Sequence, residues 1–255
     1  MRVELDIRKG ARENAAEYFD RAKKLREKAR RAREAAEATR KRLAELEKAV
    51  EGEKRPAFRL KRAREWFERF RWFFSSDGFL VLAGRDAAQN DLLFSKYMEK
   101  EDIFLHADIQ GAPAVVVKNG AHAPERTIAE AAQWAASYSS AWKMGAASVD
   151  VYAVRKEQLS KKAMGGYVGR GAFAIRGERR WFRGTQLGVR IGIGESGVVA
   201  APESAGRERF IRSVLVRPGG MEKGEAAREI AEKFGVSADE VLALLPPGKV
   251  RLAYD

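Results

Sequence analysis

Apolar positions in the first fifth of the chain recur at alternating steps of three and four. From Ala15 they fall on Tyr18, Ala22, Leu25, Ala29, Ala32, Ala36, Thr39, Leu43, Leu46 and Val50. This spacing puts one stripe on a helix and repeats it every seven residues, which is the seam of a coiled coil. No Pro or Gly interrupts residues 11–51. At 1.5 Å per residue the spacing predicts a helix roughly 60 Å long. Gly52 and Pro56 then punctuate the chain, and Leu60, Ala63, Phe67 and Phe70 resume the spacing. The expected unit at 1–70 is a coiled-coil helical hairpin with unequal arms. Its second arm reaches only the part of the seam between Ala36 and Val50. The seam between Ala15 and Ala32 is left for the globular domain, a second copy or a partner chain.

After residue 70 the period shortens. Apolar runs at 71–76 and 79–84 flank Asp77-Gly78, a hairpin signal. A helix is expected at 86–98, strands at 103–106 and 114–118, and a helix at 127–144 opened by a Thr127/Glu130 capping box. Strands are expected at 148–154, 172–176, 189–193, 198–201 and 211–216. Two short helices follow at 222–234 and 238–245, the second with Ser237 and Glu240 as a capping box. Hairpins mixed with helices predict an α+β fold with a mixed, largely antiparallel sheet. The domains read as the arm at 1–70, a globular domain at 71–200 and a small, mainly helical C-terminal extension at 201–255. The last helix pair resembles a DNA-reading helix-turn-helix, but its second helix carries Asp239 and Glu240 and no base. A phosphate-facing helix needs the opposite sign.

Charge narrows the function. The chain of 255 residues has 49 Lys and Arg against 36 Asp and Glu, a net charge of +13. The excess sits in two places, a net +9 over residues 1–70 and a net +8 over 155–190. The second stretch is short, Gly-rich and nearly free of acids, so a polyanion is the expected partner. Cys is absent, which excludes disulfides, thiolate zinc sites and cysteine nucleophiles. His106 and His122 are the only histidines and argue against a zinc site built on His. With no spanning run and no secretory signal, a cytoplasmic protein without a membrane is expected.

Three segments carry candidate chemistry. In Gly84-Arg85-Asp86-Ala87-Ala88-Gln89-Asn90, Asp86 is placed to cap a helix, while Arg85, Gln89 and Asn90 offer donors to a phosphate or base. In His106-Ala107-Asp108-Ile109-Gln110-Gly111-Ala112-Pro113, His106 and Asp108 stand two apart and share a strand face. Around Gly165-Gly166-Tyr167-Val168-Gly169-Arg170-Gly171, glycine permits close approach to a phosphate and Tyr167 offers a stacking ring. Lys161, Lys162, Arg170 and Arg176 supply positive charge.

In order along the chain, Trp72-Phe73, GRDAAQN, DIFLHADIQGAP, the helix with Ala136 to Trp142, the 161–167 stretch and GAFAIRG resemble one family. It is the RNA-binding (NFACT-R) domain of the NFACT ribosome-associated quality-control factors, which include NEMF-type, bacterial and archaeal members. Glu4-Leu5-Asp6 and Asn14-Ala15-Ala16-Glu17-Tyr18-Phe19 resemble the family's coiled-coil region, and the tail near 211–252 an archaeal extension. The resemblance implies a non-enzymatic module without cofactor or metal. It implies binding to the large ribosomal subunit and tRNA during rescue of stalled translation. The contacts would fall to Arg85, Asp86, Gln89, Asn90, His106, Asp108, Lys161, Lys162, Tyr167, Arg170 and Arg176, with Trp142 stacking if exposed. Full-length members also carry a large N-terminal domain and a helix-hairpin-helix module. These have no counterpart here, so tail synthesis is not expected of this chain alone. A hydrolase using Asp86, His106 and Asp108, a DNA-binding domain and a protein-docking scaffold stay open as alternatives.

Overall fold

The computed structural model describes residues 5, 6, 8–51, 65–163, 166–194 and 197–254. The chain divides into two compact units, 1–62 and 63–255. In the first, the expected long helix is present as α1 (Ala11–Glu51). Its start is held by buried Asn14, which accepts from Asp6 N at 2.9 Å and donates to Asp6 O and Lys9 O at 3.1 Å. The seam from Ala15 to Leu43 is exposed apart from half-buried Ala22. The expected second arm, with Leu60 and Ala63, lies outside the described residues.

Phe67 and Phe70 are not part of a coiled-coil arm. Trp66–Arg69 forms one 3-10 turn, and Phe70 is extended and fully buried in the second unit. Phe67 packs edge-on against Trp72 and Phe74 at 4.9 and 5.9 Å. Burying these rings outweighs continuing an exposed helix, because each removes a large apolar area from water.

The second unit opens with the foreseen hairpin, β1 (Arg71–Phe74) and β2 (Leu80–Ala83), turning at Gly78 with φ +82°. Helix α2 (Ala87–Leu92) runs on as one π-helical turn, Leu93–Tyr97. Strands β3 (Ile103–Ala107) and β4 (Val115–Val117) precede α3 (Glu125–Ser137). Strand β5 (Ser148–Arg155) follows, then the short strands β6 (Leu159–Ser160), β7 (Lys162–Ala163), β8 (Gly166–Tyr167) and β9 (Ala174–Ile175). Strand β10 (Arg180–Gln186) closes the first sheet, whose order is β1-β2-β4-β3-β5-β10, all antiparallel.

Strands β11 (Val189–Gly194), β12 (Gly197–Pro202), β13 (Arg212–Met221) and β14 (Val250–Tyr254) form a second antiparallel sheet in the order β12-β11-β13-β14. Strands on both sides of position 200 therefore share one sheet. Helices α4 (Lys223–Phe234) and α5 (Ala238–Leu244), joined through Gly235 at φ +66°, lie between β13 and β14 in sequence. They bury Ile230 and Val241 in the core shared by the two sheets.

Alternation along the first sheet makes two cores. Val81, Ala83, Leu105, Val115, Val117, Val151 and Ala153 face α3 and Trp134. Leu82, Phe104, Val116, Tyr152 and Val154 face the opposite way, onto Phe70, Leu93, Met98 and Leu159. A one-residue slip would exchange the two faces, so burial on both sides fixes the register.

Neither expected capping box forms. Helix α3 begins after Pro124, two residues before Thr127, and ends at Ser137 rather than 144. Thr127 Oγ1 instead lies 2.7 Å from Asp77 Oδ2 and 2.8 Å from Ser75 Oγ. Glu130 accepts from Ser76 N at 2.9 Å. Both side chains are spent holding the β1–β2 turn. Ser237 sits at the start of α5 without a side-chain cap bond.

Candidate nucleic-acid interface

The segment 84–90 leaves β2 and enters α2, and its side chains are used within the fold. Asp86 caps the helix, accepting from Gln89 N at 2.9 Å. Gln89 returns the contact by accepting from Arg85 N at 3.1 Å, and donates to Arg69 O at 3.2 Å. Asn90 is buried and accepts from Ala114 N at 3.0 Å. Gly84 makes room for it, since a Cβ there would stand 2.0 Å from Asn90 Oδ1. Arg85 donates to Phe70 O at 3.2 Å and to Ala243 O at 3.4 Å. Arg71 donates to Gly84 O at 3.3 Å and stacks over Tyr138 at 4.8 Å. Burial holds the Arg71 guanidinium below its ordinary pKa, and Arg85 pushes it the same way.

His106 and Asp108 do not form a pair. His106 is half-buried on β3, opposite Tyr152 of β5. Its Nδ1 is enclosed without a hydrogen-bond partner. Burial pulls its pKa below the ordinary histidine value, partly offset by the backbone near Ala107 and Ala112 and by Asp108. The Asp108 side chain is exposed, and its N–H donates to Asp150 O at 2.8 Å. Among the described residues no hydrogen bond joins any two of Asp86, His106 and Asp108, the trio of the hydrolase alternative, and no cluster of three or more His, Asp or Glu could hold a metal.

In the Gly-rich segment, Lys161 is committed internally. It bonds the Asp91 carboxylate, donates to Ala172 O at 2.7 Å and stands 4.1 Å over Phe173. Asp91 also accepts from Gly171 N at 3.1 Å, so one carboxylate anchors both ends of the segment. The β7–β8 pairing sets exposed Lys162 opposite Tyr167. The Tyr167 side chain, with the stacking role expected of it, lies outside the described set. Trp142 is 1% exposed and donates to Lys249 O at 2.9 Å, so it belongs to the core and offers no stacking face. Arg170 and Arg176 are exposed. Gln158 holds the Arg176 backbone through bonds of 2.8 and 3.2 Å.

Sequence reasoning missed β10. Its alternation is short, and Trp181 and Phe182 stand adjacent, so their runs do not read as one apolar face. The strand sets Trp181 beside Tyr152, and β3 sets His106 on the other side of Tyr152. Ring centroids are 5.5 Å apart for Tyr152 and Trp181 and 5.8 Å apart for Tyr152 and His106. Arg179 covers Tyr152 at 4.8 Å, and Arg183 covers Trp181 at 4.0 Å while bonding Asp150 at 2.6 Å. Arg180 pairs with Glu125. Among the described residues Arg170, Arg176 and Arg179 form no ion pair.

Residues 69–177 match a family model described as the NFACT protein RNA binding domain. The three motif segments named above all fall within that span. The protein named Archaeal Rqc2 homolog aRqcH, from Methanocaldococcus jannaschii, is 42% identical over 199 residues, 74% of this chain and 30% of that protein. The Ribosome quality control complex subunit NEMF homolog of Drosophila melanogaster is 35% identical over 196 residues, 75% of this chain and 20% of that protein. The chain thus spans less than a third of the length of either relative. A solved structure, the C-terminal of the fibronectin/fibrinogen-binding protein from Streptococcus suis, is 24% identical with a TM-score of 0.41, covering 68% of this chain and 75% of that one.

Proposed function

Because the chain belongs to the NFACT family, we propose that it is an RNA-binding module that docks on the large ribosomal subunit and tRNA in ribosome quality control. The observation that carries this reading is the pair Arg170 and Arg176. Both are exposed beside a backbone anchored by Asp91 and Gln158, and neither forms an ion pair among the described residues. Cations held in place without a carboxylate partner are suited to phosphate contact. Lys162 lies on the same segment. Of the other candidates, Arg85, Asp86, Gln89 and Asn90 act in this reading as struts of the β2–α2 corner, and Lys161 ties the segment to Asp91. The family relation and the RNA-binding match support a non-enzymatic role in the cytoplasm. No helix among the described residues is long and apolar enough to cross a membrane.

The test is co-sedimentation with purified large ribosomal subunits over a salt series, beside the double variant Arg170→Glu/Arg176→Glu. Binding that weakens steeply with salt is expected, and removing one cation from a phosphate should lower the salt slope by about 1. Binding indifferent to salt, or none in dilute salt, refutes the reading.

A second reading, an arm that docks a second copy or another protein, is favoured by the seam between Ala15 and Ala32, where Tyr18 and Leu25 are exposed with Phe19 beside them. Sedimentation velocity of the chain alone tests self-association through it.

A further inference from the structure

We propose that the cross-strand row Trp181–Tyr152–His106, roofed by the Arg179 guanidinium, is a stacking site for an unpaired nucleobase of RNA. This rests on the RNA-binding reading and assigns it a second contact, distinct from the phosphate contacts at Arg170 and Arg176.

The row follows from the backbone. In antiparallel strands, residues directly opposite one another project from the same face. Trp181 pairs with Tyr152 across β10 and β5, and Tyr152 pairs with His106 across β5 and β3. Three rings from three strands therefore adjoin, Trp181 edge-on to Tyr152 at 72° and His106 tilted to it at 34°. Phe104, buried in the core, backs His106, stacked nearly parallel to it at 5° and 6.3 Å. Trp181 and His106 are half-buried, and Tyr152 between them is buried under Arg179. The His106 Nδ1 is enclosed without a partner, and among the described residues no hydrogen bond joins His106 to Asp108.

The roof carries the ligand argument. Arg179 is exposed, lies 4.8 Å over Tyr152 and 5.8 Å from Trp181, and forms no ion pair among the described residues. Its guanidinium is thus held over Tyr152 while its charge has no ion-pair partner among the described residues. Bases stack on guanidinium planes as they do on aromatic rings, and the charge also favours the adjoining phosphate. Arg183 differs, because Asp150 neutralises it. Paired bases keep their faces within the helix stack, so this surface suits single strands, loops or bulges and not a duplex.

The test uses Arg179→Lys, which keeps the charge and removes the plane. Affinities for a fluorescein-labelled oligo(A) strand of roughly 12 nucleotides and for an RNA duplex of equal length are read by anisotropy. The wild-type chain should favour the single strand. Arg179→Lys should weaken single-strand binding about fivefold or more, with duplex binding unchanged. Trp181→Leu, which keeps an apolar side chain in the row, should do the same. Unchanged single-strand binding by Arg179→Lys, equal losses on both probes, or wild-type binding as tight to duplex as to single strand would each overturn the stacking site. Failure of the ribosome reading is separate: single-strand discrimination through Arg179 without co-sedimentation upholds the stacking site alone.

Discussion

Replacing Asn90 by alanine should unfold the domain more easily without touching an exposed residue. Asn90 is 7% exposed, and its Oδ1 accepts from the N–H of Ala114, which is fully buried. Truncation leaves that N–H without a partner where water does not reach, at a cost of about 1–3 kcal/mol. The space left against Gly84 adds about 1 kcal/mol. The total, roughly 2–4 kcal/mol, lowers the thermal midpoint by about 4–16 °C for a unit of this size. Gly84→Ala probes the same contact from the other side. Its Cβ would stand 2.0 Å from Asn90 Oδ1 and 2.9 Å from Asn90 N. Relieving the first clash means swinging the amide away from Ala114, so this variant forfeits the same bond. The two penalties overlap, and the double variant should cost about 1–2 kcal/mol less than the sum of the singles. Urea unfolding followed by intrinsic fluorescence and far-UV circular dichroism measures all three. A loss below about 0.5 kcal/mol for Asn90→Ala, or strict additivity, refutes the strut assignment.

Burial holds the folded His106 pKa below the unfolded value of about 6.5, so the unfolded state takes up a proton that the folded state does not. Stability should therefore fall as pH drops from 7 through 6.5 and level off below the folded pKa. His106→Gln should lack this component, and parallel midpoint-against-pH curves for the two proteins would contradict it. Asp91→Ala removes the acceptor shared by Lys161 and Gly171 N, so trypsin should cut after Lys161, Lys162 or Arg170 sooner than in the wild-type chain. Unchanged cleavage kinetics would mean that Asp91 does not anchor the segment.

The α+β class and the β1–β2 hairpin were legible because Asp77-Gly78 splits two apolar runs, and Gly78 takes the positive φ such a turn requires. Gly235 marks the α4–α5 break for the same reason. The cap role of Asp86 was also visible. What escaped was long-range. Thr127 and Glu130 have capping-box spacing, yet their partners are the turn at Ser75–Asp77, about 50 residues away. Lys161 reads as a free cation until Asp91 is brought to it from α2. Trp142 has the composition of a stacking residue but lies inside the core. Strand β10 carries its meaning in cross-strand neighbours, which no local period reports.

Strand β10 is also one of the two edge strands of the six-stranded sheet. Unpaired strand edges invite other chains to add to them, and charge and bulges prevent it. This edge has both: the register breaks between Phe182 and Thr185, Gly184 takes φ +60°, and Arg180 and Arg183 flank the rings. Arg180 and Arg183, paired with Glu125 and Asp150 and not assigned to RNA, therefore act as gatekeepers against aggregation. Neutralising them should lower solubility without removing an assigned RNA contact, so affinity and colloidal stability can be varied separately along this edge.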